Sequence, residues 1–404
     1  MMSEDYSQAR KCRLCHSNAV AEIFNFGDSP LANAFRDTIV TRDQEFTAPL
    51  AYFKCESCHS VQLKYEVSGE ILFKDYMYET PPNLTPHFKE LAATITDLVG
   101  EGKSILDIGS NNGLLLKEFQ KLGHFNVCGI EPAENIADKA IADGVPTHKG
   151  FFGSSMAAIY KEVSPMADVV TCTNCFAHLD NIEDFVLGVS SVLKKDGVFV
   201  FENAYLLDTL KNKDFGQAYF EHKHMFAVSP LVSFLGNFGL ELFKVEHVDV
   251  QMGSIRGYVK KSSNKQIKED GSVGKFLIEE IKAGLLGVKV YLDFMDEIEA
   301  VRTALVAILK DHHHNGRTIA VYGWPAKMTL LASYFEITEY IDMVVEESDA
   351  KIGKFAPGTN AEIKSLEYFK ENPTDVCIIG AYNYEKDIME KNDWYRGEWI
   401  NPLK

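Results

Sequence analysis

The stretch SILDIGSNNG (residues 104–113) decides the fold of this chain. Its apolar start predicts a buried β-strand, and its glycines, Gly109 and Gly113, predict a tight turn in which the backbone can approach a ligand closely. The segment that follows, LLLKEFQKLG (114–123), has the apolar spacing of a helix. A strand that leads through a glycine-rich turn into a helix is the first unit of a Rossmann-like domain.

The same alternation continues on the C-terminal side of this unit. We predict strands at NVCGIEP (126–132), DVVTCTN (168–174) and GVFVFEN (197–203), and helices at NIADKAIADG (135–144) and IEDFVLGVSSVL (182–193). Helices inserted regularly between apolar, β-branched runs are typical of a doubly wound parallel sheet. Residues 101–260 are therefore predicted to form an α/β domain.

The regions on either side of this domain predict two further units. Residues 1–100 predict a loop-rich opening with two Cys-x-x-Cys pairs, followed by a helix at 87–102. The polar segment KSSNKQIKEDGSVGK (261–275) predicts a boundary, after which a long amphipathic helix is broken near residues 284–287. The runs TIAVYG (318–323), KMTLLASYF (327–335), YIDMVVEES (340–348) and DVCIIGAYN (375–383) predict a second, smaller α/β unit. We place the domains at 1–80, 81–262 and 263–404.

Composition limits the classes of partner. A chain of 404 residues with a net charge of −17 disfavours nucleic acid, because binding to phosphates requires clustered Lys and Arg. No stretch reaches the ~20 apolar residues of a membrane span, and the polar start MMSEDYSQARKC does not resemble a signal peptide. We therefore expect a cytoplasmic protein with a small-molecule substrate and no membrane partner. The oligomeric state is not predicted.

The two Cys-x-x-Cys pairs predict a zinc site. Cys12 and Cys15 form the first pair, and Cys55 and Cys58 form the second. Four thiolates close a tetrahedral Zn²⁺ shell and leave no open position for catalysis, so the predicted zinc is structural. A third pair, Cys172 and Cys175, has no partner pair nearby and is interpreted as buried or site-lining thiols.

The glycine-rich turn predicts S-adenosylmethionine as the cofactor. Dinucleotide enzymes carry G-x-G-x-x-G at this position to hold a pyrophosphate, whereas here an acid, Asp107, precedes Gly109. A carboxylate repels a diphosphate but attracts a ligand with an ammonium and a sulfonium. Glu131 closes the next strand, where a carboxylate accepts hydrogen bonds from ribose hydroxyls. The predicted cofactor residues are Asp107, Gly109, Asn111, Asn112, Glu131, Phe152 and Asn174.

At these positions the chain resembles the sugar C-methyltransferase family, whose members place a branch methyl group on nucleotide-linked 4-keto deoxysugars. The resemblance rests on CRLC (12–15), CESC (55–58), LDIGSNNG (106–113), GIEP (129–132), NCFAHLD (174–180), YFEH (219–222), GSIRGY (253–258), YGWPAK (322–327) and KFAPGT (354–359). It implies a Rossmann-like class I methyltransferase domain, an N-terminal four-cysteine zinc module and a smaller C-terminal α/β domain that anchors the nucleotide sugar.

The resemblance also implies catalytic roles. Carbon methylation beside a ketone requires a base that removes the α-proton, and His222 is the predicted base because imidazole titrates near neutral pH. Glu221 is expected to orient a histidine or to hold a sugar hydroxyl, while Tyr219 and His178 are expected to donate hydrogen bonds to the enolate oxygen. Tyr76 or Tyr78 is expected to reach the site from the N-terminal module.

The substrate positions are where this sequence departs from the family pattern. Lys327, which follows a strand and Gly323, is a candidate phosphate ligand. Trp324 stands where the family more often has a small residue, and Glu346 stands where Asp is usual. Lys223 and His224 continue the YFEH segment in place of apolar or aromatic residues. These departures indicate that the sugar or the nucleotide differs from the family's best-known substrates.

Three other functions compete with carbon methylation. The same scaffold, with the same histidine as a hydroxyl base, would serve O- or N-methylation of a sugar or related metabolite. A non-catalytic, zinc-bearing binding protein is a further alternative, although Asp107 and His222 are both present. An NAD-dependent oxidoreductase is disfavoured because G-x-G-x-x-G is missing.

Overall fold

The N-terminal unit is a small antiparallel sheet. The structure is a computed structural model that describes residues 6–41, 43–72 and 79–404. The unit contains β1 (Tyr6–Gln8), β2 (Val20–Pro30), β3 (Thr47–Cys55), β4 (Val61–Leu63), β5 (Tyr65–Val67) and the short helix α1 (Gly69–Leu72). Strands β2, β3 and β4 pair antiparallel, and β1 pairs with β5. The prediction of a loop-rich opening is wrong here, because β2 and β3 are 11 and 9 residues long.

The predicted strand at 104–108 lies in the interior of a seven-stranded sheet. The strands of this sheet are β6 (Ser104–Ile108), β7 (Asn126–Glu131), β8 (Thr147–Lys149), β9 (Ala167–Thr173), β10 (Leu193–Ala204), β12 (Leu240–Val248) and β13 (Ser254–Lys261). Their spatial order is β12-β13-β10-β9-β6-β7-β8. Strand β13 is antiparallel to both of its neighbours, and the other pairings are parallel. The carboxyl ends of β6, β7 and β9 therefore meet at one edge.

Helices connect these strands as the sequence pattern predicts. The helices of this unit are α2 (Thr85–Val99), α3 (Leu114–Lys121), α4 (Glu134–Ala142), α5 (Ser154–Val163), α6 (Ile182–Val192), α7 (Leu206–Lys211) and α8 (Val228–Gly236). The helices predicted after the glycine-rich turn, near residue 135 and near residue 182 are confirmed as α3, α4 and α6. The short strand β8 and the helices α5, α7 and α8 were not among the predicted elements.

A two-residue strand ties the middle unit to the N-terminal sheet. Strand β11 (His224–Met225) begins two residues after His222 and pairs antiparallel with β4. It forms the edge of a four-stranded sheet of order β11-β4-β3-β2. The Leu63 amide also donates to the Lys223 carbonyl at 2.9 Å. The segment that carries the predicted base is thus fixed by backbone bonds to the zinc-bearing unit.

The C-terminal unit is a parallel sheet with flanking helices. Its elements are α9 (Ser272–Lys282), α10 (Lys289–His314), β14 (Ile319–Tyr322), α11 (Ala326–Tyr334), β15 (Met343–Glu346), β16 (Ile363–Ser365), α12 (Leu366–Glu371), β17 (Val376–Ile379), α13 (Glu385–Lys391) and β18 (Glu398–Ile400). The strand order is β16-β15-β14-β17-β18, and each pairing is parallel. The predicted helix break near 284–287 is confirmed between α9 and α10. Within the described ranges, no helix has both the length and the apolar character that crossing a membrane requires.

The units share one continuous apolar core. Phe24 of β2 packs against Tyr291 and Phe294 of α10, with ring centroids 5.8 and 5.4 Å apart. Phe26 of the same strand contacts Tyr334 of α11 at 5.2 Å. The Thr329 hydroxyl donates to the Ala32 carbonyl at 3.1 Å. The N-terminal sheet is therefore packed between the middle unit and the C-terminal unit, which explains why most of β3 is buried.

Candidate cofactor cavity and active site

The four predicted zinc ligands converge in the N-terminal unit. Their sulfur atoms all lie within 4.8 Å of one another. The Cys12 and Cys58 sulfurs are 3.5 Å apart, and those of Cys15 and Cys55 are 3.6 Å apart. A tetrahedral ion with Zn–S bonds of ~2.3 Å separates its sulfurs by about 3.8 Å. The thiol set therefore fits a closed, structural zinc shell.

A cavity of about 340 Å³ lies at the carboxyl ends of β6, β7 and β9. Most of the predicted cofactor residues line it, as does one predicted catalytic residue: Asp107, Gly109, Asn111, Glu131, Phe152, Asn174 and His178. Its volume is at the lower end of the range for small-ligand pockets. Apolar side chains, among them Leu84 and Phe88 of the α2 region, complete the wall. Four carboxylates, those of Asp107, Glu131, Asp180 and Asp184, lie beside this apolar surface, which suits a cationic nucleoside such as adenosylmethionine.

The turn after β6 requires glycine for two reasons. Gly109 has φ +70°, a conformation that costs an L-residue about 1–2 kcal/mol. A Cβ at Gly109 would also lie 2.7 Å from the Cys175 sulfur. Cys175 is thus a wall residue of the cavity, and Cys172 behind it is fully buried. The interpretation of this third pair as buried or site-lining thiols is confirmed.

Backbone amides hold the Glu131 carboxylate at the end of β7. One oxygen accepts from the Asn111 amide at 2.9 Å, and the other accepts from the Ala133 amide at 2.8 Å. Burial raises the pKa of Glu131 above its usual value, and these two hydrogen bonds oppose the shift. The carboxylate is therefore oriented before any ligand binds, and each oxygen keeps a lone pair for a ligand hydroxyl.

Asp107 is buried beside Glu131. The Thr171 hydroxyl donates to its carboxylate at 2.7 Å. Burial raises the pKa of Asp107 to about 7, and the negative charge of Glu131 adds to the shift. A positively charged ligand in this cavity would favour the ionised form, so binding of such a ligand is coupled to the titration of Asp107.

His222 has a defined tautomer. Its Nδ1 lies 2.8 Å from the Gln217 carbonyl, which only accepts, so Nδ1 carries the proton. Burial lowers the pKa of His222 to about 4, and the ring is therefore neutral near pH 7. Nε2 then has a free lone pair and accepts a hydrogen bond from the Tyr219 hydroxyl at 2.7 Å. Tyr219 and His222 form a hydrogen-bonded pair, whereas the sequence predicts a hydrogen bond from the tyrosine hydroxyl to the enolate oxygen of the substrate.

A second, much smaller cavity of about 10 Å³ lies next to the cofactor cavity and is lined by His222. Its wall includes His222, Gln217 and His224, and it shares Asn174 with the larger cavity. His178 lines the larger cavity, and its ring centroid is 5.1 Å from that of His222. Burial lowers the pKa of His178 well below its usual value, so this ring is also neutral. Two neutral imidazoles therefore stand between the two cavities.

The Glu221 carboxylate contacts the N-terminal unit. One of its carboxylate oxygens accepts from the Asn33 side-chain amide of the N-terminal unit at 3.0 Å, and burial raises the pKa of Glu221 to about 7. The hydroxyl of Tyr52 donates to the His222 carbonyl at 2.7 Å. Contacts from the zinc-bearing unit thus hold both residues of the Glu-His pair.

Asn112 is a predicted cofactor residue that does not line the cavity. Asn112 holds the chain at residue 80: its side-chain amide donates to the Thr80 carbonyl at 2.9 Å. The Asn111 side chain accepts from the Thr80 amide at 2.8 Å, so both asparagines anchor the segment that borders the cavity. Tyr76 and Tyr78 lie outside the described residues, and their predicted role stays a prediction.

The predicted substrate residues of the C-terminal unit lie in internal contacts. Trp324 is fully buried, and its indole donates to the Thr329 hydroxyl at 2.9 Å. The Glu346 carboxylate accepts from the Trp324 amide at 2.9 Å and from Lys351 at 2.7 Å. The Lys327 ammonium lies 3.4 Å from the Asp214 carboxylate. In this structure the polar groups of these three side chains bind to other residues of the protein.

Two residues near His222 carry no signal in the sequence. Gln217 acts through its backbone carbonyl, a group that every residue possesses. Asp214 lies in a loop with no motif, and only the fold places it beside Gln217, Lys327 and Tyr382. The histidine is therefore recognisable in the sequence, but the groups that orient it are not.

Comparison with known families assigns all three parts of the chain. A model of a zinc binding domain matches residues 12–73, a methyltransferase domain model matches 85–245, and a model of the C-methyltransferase C-terminal domain matches 249–403. The C-methyltransferase NovU of Streptomyces niveus is 28% identical over 402 residues, which cover 97% of this chain and 95% of the relative.

Two similar methyltransferase structures each cover less than half of the chain. The magnesium protoporphyrin IX methyltransferase of Synechocystis PCC 6803, with bound S-adenosylmethionine, is 14% identical, covers 44% of this chain and 79% of its own, and has a TM-score of 0.33. The CcbJ methyltransferase of Streptomyces caelestis is 14% identical. The match covers 47% of this chain and 95% of the CcbJ chain, with a TM-score of 0.35. The matches of the three family models and the full-length relative show that this chain is an S-adenosylmethionine-dependent methyltransferase with an N-terminal zinc-binding domain, similar over its length to the C-methyltransferase NovU.

Proposed function

We propose that the protein methylates carbon on a nucleotide-linked 4-keto deoxysugar and that the Tyr219–His222 pair generates the enolate. The observation that carries the proposal is the neutral His222 with its defined tautomer. This residue lines the small cavity, which has Asn174 in common with the cofactor cavity. The relative NovU is a C-methyltransferase by name, and the C-terminal family model describes a C-methyltransferase domain. Both support transfer to carbon.

In the proposed step, Tyr219 and His222 take up the substrate proton together. The C–H bond beside the ketone breaks, its electrons form the enolate, and the proton goes to the pair. Because the Tyr219 hydroxyl already donates to His222 Nε2, the tyrosine passes its proton to the imidazole as its oxygen accepts the substrate proton. The bound cofactor supplies an electrophilic methyl group on a sulfonium. The chain's own contribution is to hold the base neutral and in one orientation.

His178 is the candidate to stabilise the enolate oxygen. It lines the cofactor cavity and is neutral because burial lowers its pKa, so one ring nitrogen carries a proton that it can donate. A buried donor is already free of solvent and already oriented, so it stabilises developing negative charge without reorganisation. This assigns the two histidines different tasks, since His222 accepts a proton and His178 donates a hydrogen bond.

The test uses mass spectrometry in D₂O with nucleotide-linked 4-keto deoxysugars that carry thymidine, uridine or guanosine diphosphate, and with their fully hydroxylated counterparts. We expect a keto sugar to gain deuterium beside its ketone without the cofactor and a methyl group with it. Methylation of a hydroxylated sugar without carbon exchange would instead establish O-methylation, with His222 as a hydroxyl base.

Substitution of the histidine tests the base. His222→Ala should reduce exchange and methyl transfer by about 10²- to 10⁴-fold, as expected when a general base is lost, while adenosylmethionine affinity stays within about twofold. Tyr219→Phe distinguishes the relay from direct abstraction: the relay predicts loss of exchange, whereas direct abstraction by the freed Nε2 predicts that exchange persists. Exchange that survives in His222→Ala would show that another residue is the base.

A further inference from the structure

The residues behind His222 form a buried chain of contacts that reaches the C-terminal unit. His222 Nδ1 donates to the Gln217 carbonyl at 2.8 Å, and the Gln217 side chain donates to the Asp214 carboxylate at 2.8 Å. Asp214 is 1% exposed, so its carboxylate must find its partners inside the protein. Two of these partners, Tyr382 and Lys327, come from the C-terminal unit.

Asp214 has a complete set of donors. The Tyr382 hydroxyl donates to one oxygen at 2.5 Å, Gln217 donates to the other at 2.8 Å, and the Lys327 ammonium lies 3.4 Å away. The same ammonium lies 4.6 Å from the centroid of the Tyr382 ring. A buried carboxylate with one nearby cation and two neutral donors is held in a fixed orientation, because loss of any donor would leave a charge unsatisfied.

The packing around this carboxylate is also close. A Cβ at Gly216 would lie 2.5 Å from the Lys327 Cβ and 2.5 Å from the Tyr382 hydroxyl. The absence of a side chain at Gly216 is what allows helix α11 and the turn after β17 to approach the loop at 214–217. Next to it, Phe215 stacks on Phe335 at 5.2 Å. The C-terminal unit therefore makes specific contacts with the loop that orients the base.

We propose that Asp214 is a positioning residue: anchored by Tyr382 and Lys327, it fixes Gln217, whose carbonyl selects the Nδ1–H tautomer of His222. The opposite tautomer would place a proton on Nε2, the atom that faces Tyr219, and would abolish the lone pair that the pair needs. The C-terminal unit thus has a second task besides any role in holding substrate, because it completes the support of the base. This inference rests on the proposed role of His222.

The consequence for Lys327 is a changed role. A lysine whose ammonium neutralises a buried carboxylate cannot leave it for a phosphate without exposing that carboxylate as an unpaired buried charge. Lys327 is therefore assigned to the support of the base, and the phosphate groups of a nucleotide sugar are expected to bind to other groups of the protein.

The test compares Asp214→Asn with Glu297→Gln. The first variant keeps the size of the side chain but turns an amide towards the Gln217 or Tyr382 donor. The second removes the Lys213–Glu297 ion pair, a 3.3 Å contact between the same loop and α10 that does not involve Gln217. Tyr382→Phe, which removes one donor to Asp214 and retains the ring, serves as a milder second variant if Asp214→Asn folds poorly.

Two measurements report on positioning. The first is deuterium incorporation beside the ketone of a thymidine diphosphate-linked 4-keto deoxysugar in the absence of cofactor. The second is the ¹⁵N NMR spectrum of histidine-labelled, ligand-free protein, in which the His222 signals are identified by their loss in His222→Ala. We expect Asp214→Asn to slow exchange by about 10- to 100-fold, as a small misplacement does, and to weaken the Nδ1–H signal, with cofactor affinity within about twofold. Tyr382→Phe should change both in the same direction, and Glu297→Gln should change neither.

The outcomes separate this inference from the function on which it rests. Wild-type exchange and an unchanged Nδ1–H signal in Asp214→Asn would overturn the positioning role. Equal losses in Asp214→Asn and Glu297→Gln would show a merely structural contact and would also overturn it. If exchange survives in His222→Ala, the proposed function fails, and the NMR signal alone still decides whether Asp214 selects the tautomer.

Discussion

At the scale of single residues, burial sets the protonation of the ionisable groups in the site. Burial keeps His222 and His178 neutral by lowering their pKa values, and it keeps Asp107 near its point of titration by raising its pKa to about 7. Both histidines are therefore neutral at physiological pH, as the proposed proton acceptor and the proposed hydrogen-bond donor must be. Asp107 is different, because the charge of a bound ligand decides its state.

Asp107 makes a pH dependence of cofactor binding testable. Its folded pKa of about 7 exceeds the unfolded value near 3.9, so in the ligand-free protein its stabilising contribution is present below about pH 4 and is lost as pH rises towards 7. Cationic adenosylmethionine binds the ionised form. Affinity should therefore rise by up to about tenfold per pH unit between pH 5.5 and 7 and then level off. Calorimetry in buffers of different ionisation enthalpy would detect the released proton.

Two variants isolate the carboxylate. Asp107→Asn should abolish the pH dependence and weaken binding by about 10- to 100-fold at pH 8, the value of a hydrogen bond to a charged group. Asp143→Asn removes an exposed carboxylate that pairs with Lys117 and should leave the pH dependence intact. An affinity that is constant with pH in the wild-type protein would show that Asp107 does not titrate on binding.

The cofactor turn was predictable from sequence, whereas the support of the base was not. The strand SILDI, the glycines after it and Glu131 are local features, and their chemistry follows from residue type and spacing. The orientation of His222 depends on a backbone carbonyl and on Asp214, which packing alone brings together. The surroundings of Lys327 show the same limit, since the sequence does not reveal that its ammonium lies 3.4 Å from the buried Asp214 carboxylate.

At the scale of elements, the N-terminal strands show where periodicity fails. Strand β3 is buried along most of its length, so it lacks the alternation of a half-exposed strand. Strand β2 contains two register irregularities, between Glu22 and Phe24 and between Asn25 and Asp28. Its Gly27 and Pro30 also suggest a loop. The parallel strands β6, β9 and β14 were predicted because short apolar runs alternate there with helices.

The pairing of β11 with β4 predicts that zinc supports catalysis without taking part in it. Cys58 lies in the turn that leads into β4, and β4 pairs with the strand that follows His222. Loss of the metal should loosen β4 and, through it, the segment at 220–226. Cys58→Ser or chelation should accelerate amide hydrogen exchange there by at least about tenfold, equal to about 1.4 kcal/mol of local stability, and should reduce turnover.

A matched control uses a thiol outside the zinc set. Cys377→Ser replaces a fully buried cysteine of β17 and should retain about one zinc per chain, with wild-type exchange at 220–226. Zinc content is measured by atomic absorption, and exchange is measured by mass spectrometry. If the amides of residues 220–226 exchange as slowly in zinc-free Cys58→Ser as in the wild-type protein, the metal does not support the segment that carries His222.

At the scale of the whole molecule, the shared core predicts that the three units unfold together. Phe24 lies in the N-terminal sheet but packs against Tyr291 and Phe294 of α10. All three tryptophans of the chain, Trp324, Trp394 and Trp399, lie in the C-terminal unit. Tryptophan fluorescence therefore reports on the unit that does not contain Phe24, and far-UV circular dichroism reports on the whole chain.

This arrangement allows one substitution to test the coupling. Phe24→Ala should lower the free energy of unfolding in urea by about 3–5 kcal/mol, the usual cost of removing a buried aromatic ring, and the fluorescence and dichroism midpoints should shift together. Phe125→Ala, at a side chain that is 86% exposed, should shift neither midpoint. A dichroism shift without a fluorescence shift would mean that the C-terminal unit unfolds alone, and its contacts with the loop at 214–217 would then be too weak to hold the base.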